Sequence, residues 1–102
     1  MDEAKQRENL FLTKIIGREF SAGKVSELHF WLLMELSPIR SEKAIYALRD
    51  FLVQGCDRRD ACNRYGISLS YFSNVLARFL RTHMTASQLA SYYSSSEDKG
   101  VV

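Results

Sequence analysis

Proline and glycine are scarce in this chain of 102 residues, with one of the first and five of the second, and no Asn-Gly or Asp-Gly pair occurs in it. Without such a pair between alternating apolar runs there is no short hairpin signal, which speaks against a β architecture. Cysteine and histidine are scarcer still, two of each. Cys56 and Cys62 have no further Cys or His pair beside them, and His29 and His83 are distant in sequence, so neither a metal centre nor any other cofactor is expected. No Ser-His-Asp or Cys-His arrangement can be assembled, and the acids of DRRD lack the companions that acid-base chemistry needs, so the chain does not read as an enzyme. Long apolar runs are missing too. The longest candidate, LHFWLLMEL, meets Glu35 after seven residues, whereas a bilayer span needs roughly 20. The start, MDEAKQRENL, mixes both charge signs and lacks the basic-then-apolar order of a secretory signal. These exclusions imply a cytoplasmic protein with reduced thiols, no membrane partner and no evident small-molecule ligand.

What is present is helical periodicity, in a chain long enough for one domain and one core. Residues 8–16, ENLFLTKII, predict a short first helix within an amino-terminal extension of residues 1–25. Ser26 then offers an N-cap oxygen, with Glu27 in the first turn, for a helix that ends before Pro38 and is apolar almost all round through Leu28, Phe30, Trp31, Leu32, Leu33, Met34 and Leu36. Such a helix is either central to the core or shared with another subunit. Ser41 caps a clearly amphipathic helix in which Ile45, Leu48 and Leu52 form a stripe widened by Ala44, Ala47 and Phe51, with Gly55 as its stop. Asp57 caps a third helix over residues 58–65, ended by Gly66. Ser68 caps a fourth through Leu80 or beyond, a further helix is expected over ASQLASYY, and a flexible tail is expected over residues 94–102.

The glycine between the third and fourth helices has a purpose if the two form a helix-turn-helix over residues 58–81. Such a pair crosses tightly through a turn of three or four residues, and small residues at the crossing, here Ala61 and Cys62, make that possible. Gly66 accepts a positive φ, Ile67 plugs the junction, and Phe72 and Val75 face back into it. Helical geometry then leaves Ser68, Leu69, Ser70, Ser73, Asn74, Ala77, Arg78 and Arg81 toward solvent. That face holds no acid, because none occurs between Asp60 and Glu97. Charge is distributed to match. Lys and Arg against Asp and Glu number five to six over residues 1–39, eight to four over residues 40–83 and one to two over residues 84–102, so the positive excess lies on the segment holding the pair. Short hydroxyls and an amide can bond base edges or phosphates, and arginines behind them can hold phosphate. Arg58 and Arg59 at the start of the third helix, with Arg64, are candidate backbone contacts. Tyr71 completes the set, although a tyrosine at this spacing more often packs than stacks.

The residues SE-HF-LL, DFLV-G and C--Y followed by YFS, spread over SELHFWLLMELSPIRSEKAIYALRDFLVQGCDRRDACNRYGISLSYFSNVLARFLR and the later ASYY, resemble the PapB-like family of transcriptional regulators of fimbrial adhesin operons across residues 26–93. The resemblance implies an all-α, small helical domain with a helix-turn-helix. It implies a nucleoid-associated bacterial regulator that binds double-stranded AT-rich DNA as a homo-oligomer and sets pilus expression, often with phase variation. The family motif's Arg and Cys fall on Arg58 and Cys62. Minor-groove reading, proposed for the family, would favour arginine insertion into a narrow A-tract over a helix in the major groove. Self-association has candidate residues in Trp31 and Leu32 of the apolar helix and in Phe51, Leu52 and Val53 at the end of the next. A helical protein-protein adaptor without DNA binding is the alternative from a different class.

Overall fold

The protein, analysed as a computed structural model, is described over the backbone of residues 21–99 and the side chains of residues 21–93. The helix expected over residues 8–16 lies outside the described residues. Four helices follow: α1 (Glu27–Leu36), α2 (Glu42–Leu52), α3 (Arg58–Tyr65) and α4 (Leu69–Lys99). Each begins where the sequence supplies a cap. The hydroxyl of Ser26 accepts from His29 N at 3.2 Å, that of Ser41 from Ala44 N at 3.3 Å and that of Ser68 from Tyr71 N at 3.0 Å, while the Asp57 carboxylate accepts from Arg59 N at 3.0 Å. Each bond satisfies one backbone donor that the first turn would otherwise leave open.

The carboxy-terminal half differs from expectation. The fourth helix and the separate one over ASQLASYY are a single helix of 31 residues, about 46 Å long at 1.5 Å per residue. Nothing between Leu80 and Ala86 breaks it: no Gly or Pro intervenes, and the hydroxyls of Thr82 and Thr85 donate back to the carbonyls of Arg78 and Arg81, both at 3.2 Å. The expected tail from Ser94 also begins inside α4, whose backbone stays helical to Lys99. Extending an existing helix avoids the unfavourable nucleation step, so a polar stretch can continue it.

The core lies where α1, α2 and α3 pack against the first half of α4. Phe30, Leu48, Leu52, Phe72, Phe79 and Leu80 are fully enclosed. Phe30 meets Phe79 with ring centroids 5.3 Å apart, and Phe51 meets Phe72 edge to face at 5.7 Å. The segment before α1 belongs to this body. Val25 is buried, its N–H donates to Leu52 O, and Gly23 N donates to Phe51 O, both at 3.0 Å. There Gly23 and Gly55 bring two backbones together so closely that a Cβ on Gly23 would stand 3.3 Å from Gly55 Cα.

α1 is apolar almost all round, yet only part of it is buried. It lies at one side of the core, burying Phe30, Leu33 and Met34 and leaving Leu28, Leu32 and Leu36 largely in solvent. Leu52 is fully enclosed and Phe51 is 7% exposed, so these two side chains serve the protein's own core and are not available as a self-association surface; Val53 is half-buried. The expectation for Phe51 and Leu52 is corrected on that ground. Gly55, just past the end of that helix, meets Gly23, and the Phe51 ring meets that of Phe72.

Candidate nucleic-acid interface

α3 is eight residues long and stops because Gly66 turns the chain left-handed, at φ 67° and ψ 39°. The Gly66 and Ile67 N–H groups then close the last turn of α3, the second donating to Cys62 O at 3.0 Å. Only Gly66, Ile67 and Ser68 separate α3 from α4. Ala61 and Cys62 lie at the crossing with 0% and 2% exposure, and Phe72, Val75 and Leu76 of α4 are buried in the same core. A larger side chain at either α3 position would push the helices apart. The short turn and the small residues at the crossing are compatible with a helix-turn-helix pair.

On the far side of α4, Ser68, Leu69, Ser70, Tyr71, Ser73, Asn74, Arg78 and Arg81 are exposed, with Ala77 half-buried at the margin. Arg58 and Arg59 are exposed at the start of α3. Two sequence candidates stand elsewhere. Cys62 is buried, its Sγ is 3.9 Å from Ser68 O, and burial pushes its thiol pKa up against the opposing effect of Arg58. It is a packing residue at the crossing, too enclosed to touch a ligand, which corrects its place among the contacts. Arg64 is exposed but paired: its Nη1 donates to Asp50 Oδ2 at 2.5 Å and lies 4.0 Å from Cys56 Sγ. The guanidinium beside Asp50 is held above the ordinary arginine pKa, chiefly by that hydrogen bond. Asp50 is buried, and Tyr65, whose phenol is raised first by burial and then by its hydrogen bond with Asp50, completes a polar cluster joining α2 to α3.

A second network fixes α1 on α2. Glu27 accepts from Arg49 Nε at 2.8 Å, from Arg49 Nη2 at 3.0 Å and from Trp31 Nε1 at 2.7 Å. Both networks were hidden from sequence reasoning because their partners are 14 and 22 residues apart. The one available signal was Asp50 itself, an acid set among apolar positions of α2.

Among the described residues there is no cluster of three or more His, Cys, Asp or Glu able to hold a metal, and no helix long and apolar enough to cross a membrane. The likeness to known proteins decides the class. A family profile described as adhesin biosynthesis transcription regulatory protein, PapB, matches residues 1–93. The chain belongs to the PapB family. This PapB-family match takes in residues 1–25, beyond the span that the sequence motifs carry. The chain is 51% identical over 72 residues to the F1845 adhesin operon regulatory protein of Escherichia coli, covering 71% of this chain and 85% of that one. It is 40% identical over 86 residues to the E. coli major pilus subunit operon regulatory protein PapB, covering 84% and 83%. The crystal structure of E. coli FocB matches with a TM-score of 0.72 at 40% identity, over 84% of this chain and 98% of that chain. PapB-family membership makes this a transcription regulatory protein of the fimbrial adhesin class and not an enzyme.

Proposed function

We propose that this protein regulates an adhesin operon by binding double-stranded, AT-rich DNA as a multimer, with the exposed face of α4 and the start of α3 against the duplex. The observation that carries the reading is the acid-free outer face at the start of α4, where Ser68, Ser70, Ser73 and Asn74 are followed by Arg78 and Arg81. Arg58 and Arg59 add two cations at the amino end of α3, where backbone N–H groups also favour an anion. Four arginines therefore meet phosphate or enter a narrow A-tract groove. Four contacts correspond to a slope of roughly −3.6 in log affinity against log salt per subunit. So steep a loss with salt favours linked subunits over a lone domain. Such a protein works beside the nucleoid in the cytoplasm.

Self-association is supported by α1, where Leu28, Leu32 and Leu36 repeat at four-residue spacing with 70%, 59% and 65% exposure. Beside them runs a groove lined by Leu36, Arg81, Thr82, Thr85, Ala86 and Leu89. Trp31 is exposed at the edge of this stripe, its indole N–H tied to Glu27.

A gel-shift titration against AT-rich and GC-rich duplexes at two salt concentrations tests the reading. Stepwise, salt-sensitive shifts that favour the AT-rich duplex and weaken when Arg78 and Arg81 are changed to Glu are expected. No shift at micromolar protein and low salt would leave a helical adaptor that binds another protein as the surviving alternative.

A further inference from the structure

Arg58 occupies the first position of α3, the helix end at which a cation is least favourable for the helix itself. Its neighbours in the fold treat it differently from Arg49 of α2 and Arg64 of α3. Arg49 and Arg64 are paired with the carboxylates of Glu27 and Asp50. Arg58 has no salt bridge among the described residues. Its guanidinium carbon lies 5.1 Å from the centroid of the Phe51 ring. Phe51 is itself held edge to face on Phe72, with an interplanar angle of 89°. Phe72 is 1% exposed in the first turns of α4, just past Ser70.

We propose that Phe51 is a positioning residue: its ring, locked on Phe72, holds the Arg58 guanidinium in register with the amino end of α4, so that the cation meets the same duplex as Ser68, Ser70 and Asn74. The inference rests on the DNA-binding reading above. Its physical basis is what an aromatic platform does that a carboxylate does not. A guanidinium lying over a ring keeps its donors directed outward and its charge uncancelled, and it loses less rotamer freedom on meeting a phosphate. A carboxylate partner, as at Arg49 and Arg64, takes up donors and neutralises the charge. The stack also joins three elements, α3 through Arg58, α2 through Phe51 and α4 through Phe72, so the place of the cation is set by the same packing that sets the angle of the helix pair.

The test is a double-mutant cycle on binding to an AT-rich duplex, using the full chain as wild type, Phe51→Leu, Arg58→Ala and both together, with helical circular dichroism of each as a folding control. Phe51→Leu is expected to weaken binding about two- to fivefold, the range of an exposed cation-π contact, and to lower the salt slope toward that of Arg58→Ala, about 0.9 below wild type. The double variant is expected to bind no more weakly than Arg58→Ala alone. Additive losses would overturn the positioning role, since a ring that only supports the core acts independently of Arg58. Phe51→Tyr keeps the ring and is expected to restore the wild-type slope. Should Phe51→Leu fail to fold, 15N relaxation of the Arg58 Nε–Hε group in the free wild-type protein decides the matter: an order parameter above that of Arg59 supports the stack, and equal mobility overturns it. A wild-type protein that binds no duplex would overturn the DNA reading itself, an outcome distinct from binding with additive variants.

Discussion

Gly66 holds a φ of +67° with no atom within 4 Å of the place a Cβ would occupy. The demand for glycine there is purely conformational, so Gly66→Ala is expected to cost about 1–2 kcal/mol, the penalty of a left-handed L-residue, with Gly66→Asn costing less. Gly23 carries the same sign of φ, +71°, but its Cβ would press on backbone at 3.3 Å. Gly23→Ala is therefore expected to destabilise more than Gly66→Ala in urea titrations of the two variants, and the reverse order would refute the close approach. At Glu27 the test is pH. Hydrogen bonds from Arg49 first and Trp31 second hold its carboxyl below the ordinary value of 4.5. A carboxyl lowered by folding stabilises the fold above its unfolded pKa and loses that contribution as the pH falls through the lower folded value. Glu27→Gln is expected to lower the thermal midpoint at neutral pH, with the difference closing well below pH 4.5; a difference unchanged by acid would assign the effect to packing.

The joint between α2 and α3 is a pair of unequal partners. The Asp50 side chain is 5% exposed and that of Arg64 is 51% exposed. Removing the arginine strands a carboxylate inside the protein, whereas removing the acid leaves an arginine that can turn to water. Arg64→Met is accordingly expected to unfold at lower denaturant than Asp50→Asn, and equal midpoints would show that the pair does not bear on the joint. The pairing gives this cation of α3 a partner on α2. Arg64 lies in the last turn of α3, where a cation suits the helix end, and nothing in the local sequence names its partner. Only the approach of α2 brings Asp50 to it, 14 residues away in the chain. The stripe of α2, by contrast, was legible from Ala44, Ala47, Leu48 and Leu52, all of which are buried.

For the whole molecule, the exposed leucines of α1 make association the property to measure. Leu32 is 59% exposed, so Leu32→Glu is expected to leave the thermal midpoint of the subunit nearly unchanged while shifting sedimentation toward the monomer and reducing stepwise occupancy of DNA. Unchanged sedimentation would remove α1 from the association surface. The sequence by itself determined the helical class, the capped starts at Ser26, Ser41, Asp57 and Ser68, the turn at Gly66 and the acid-free run after Asp60, because each rests on bonding or spacing within a few residues. Tertiary structure alone decided that Phe51 and Leu52 are enclosed while Leu28, Leu32 and Leu36 are not, that Cys62 is sealed into the crossing, that Arg64 is paired, and that Arg58 lies over an aromatic ring. Those outcomes depend on which faces meet when helices distant in sequence pack, and an apolar residue or a cation carries no mark of its partner until that packing exists.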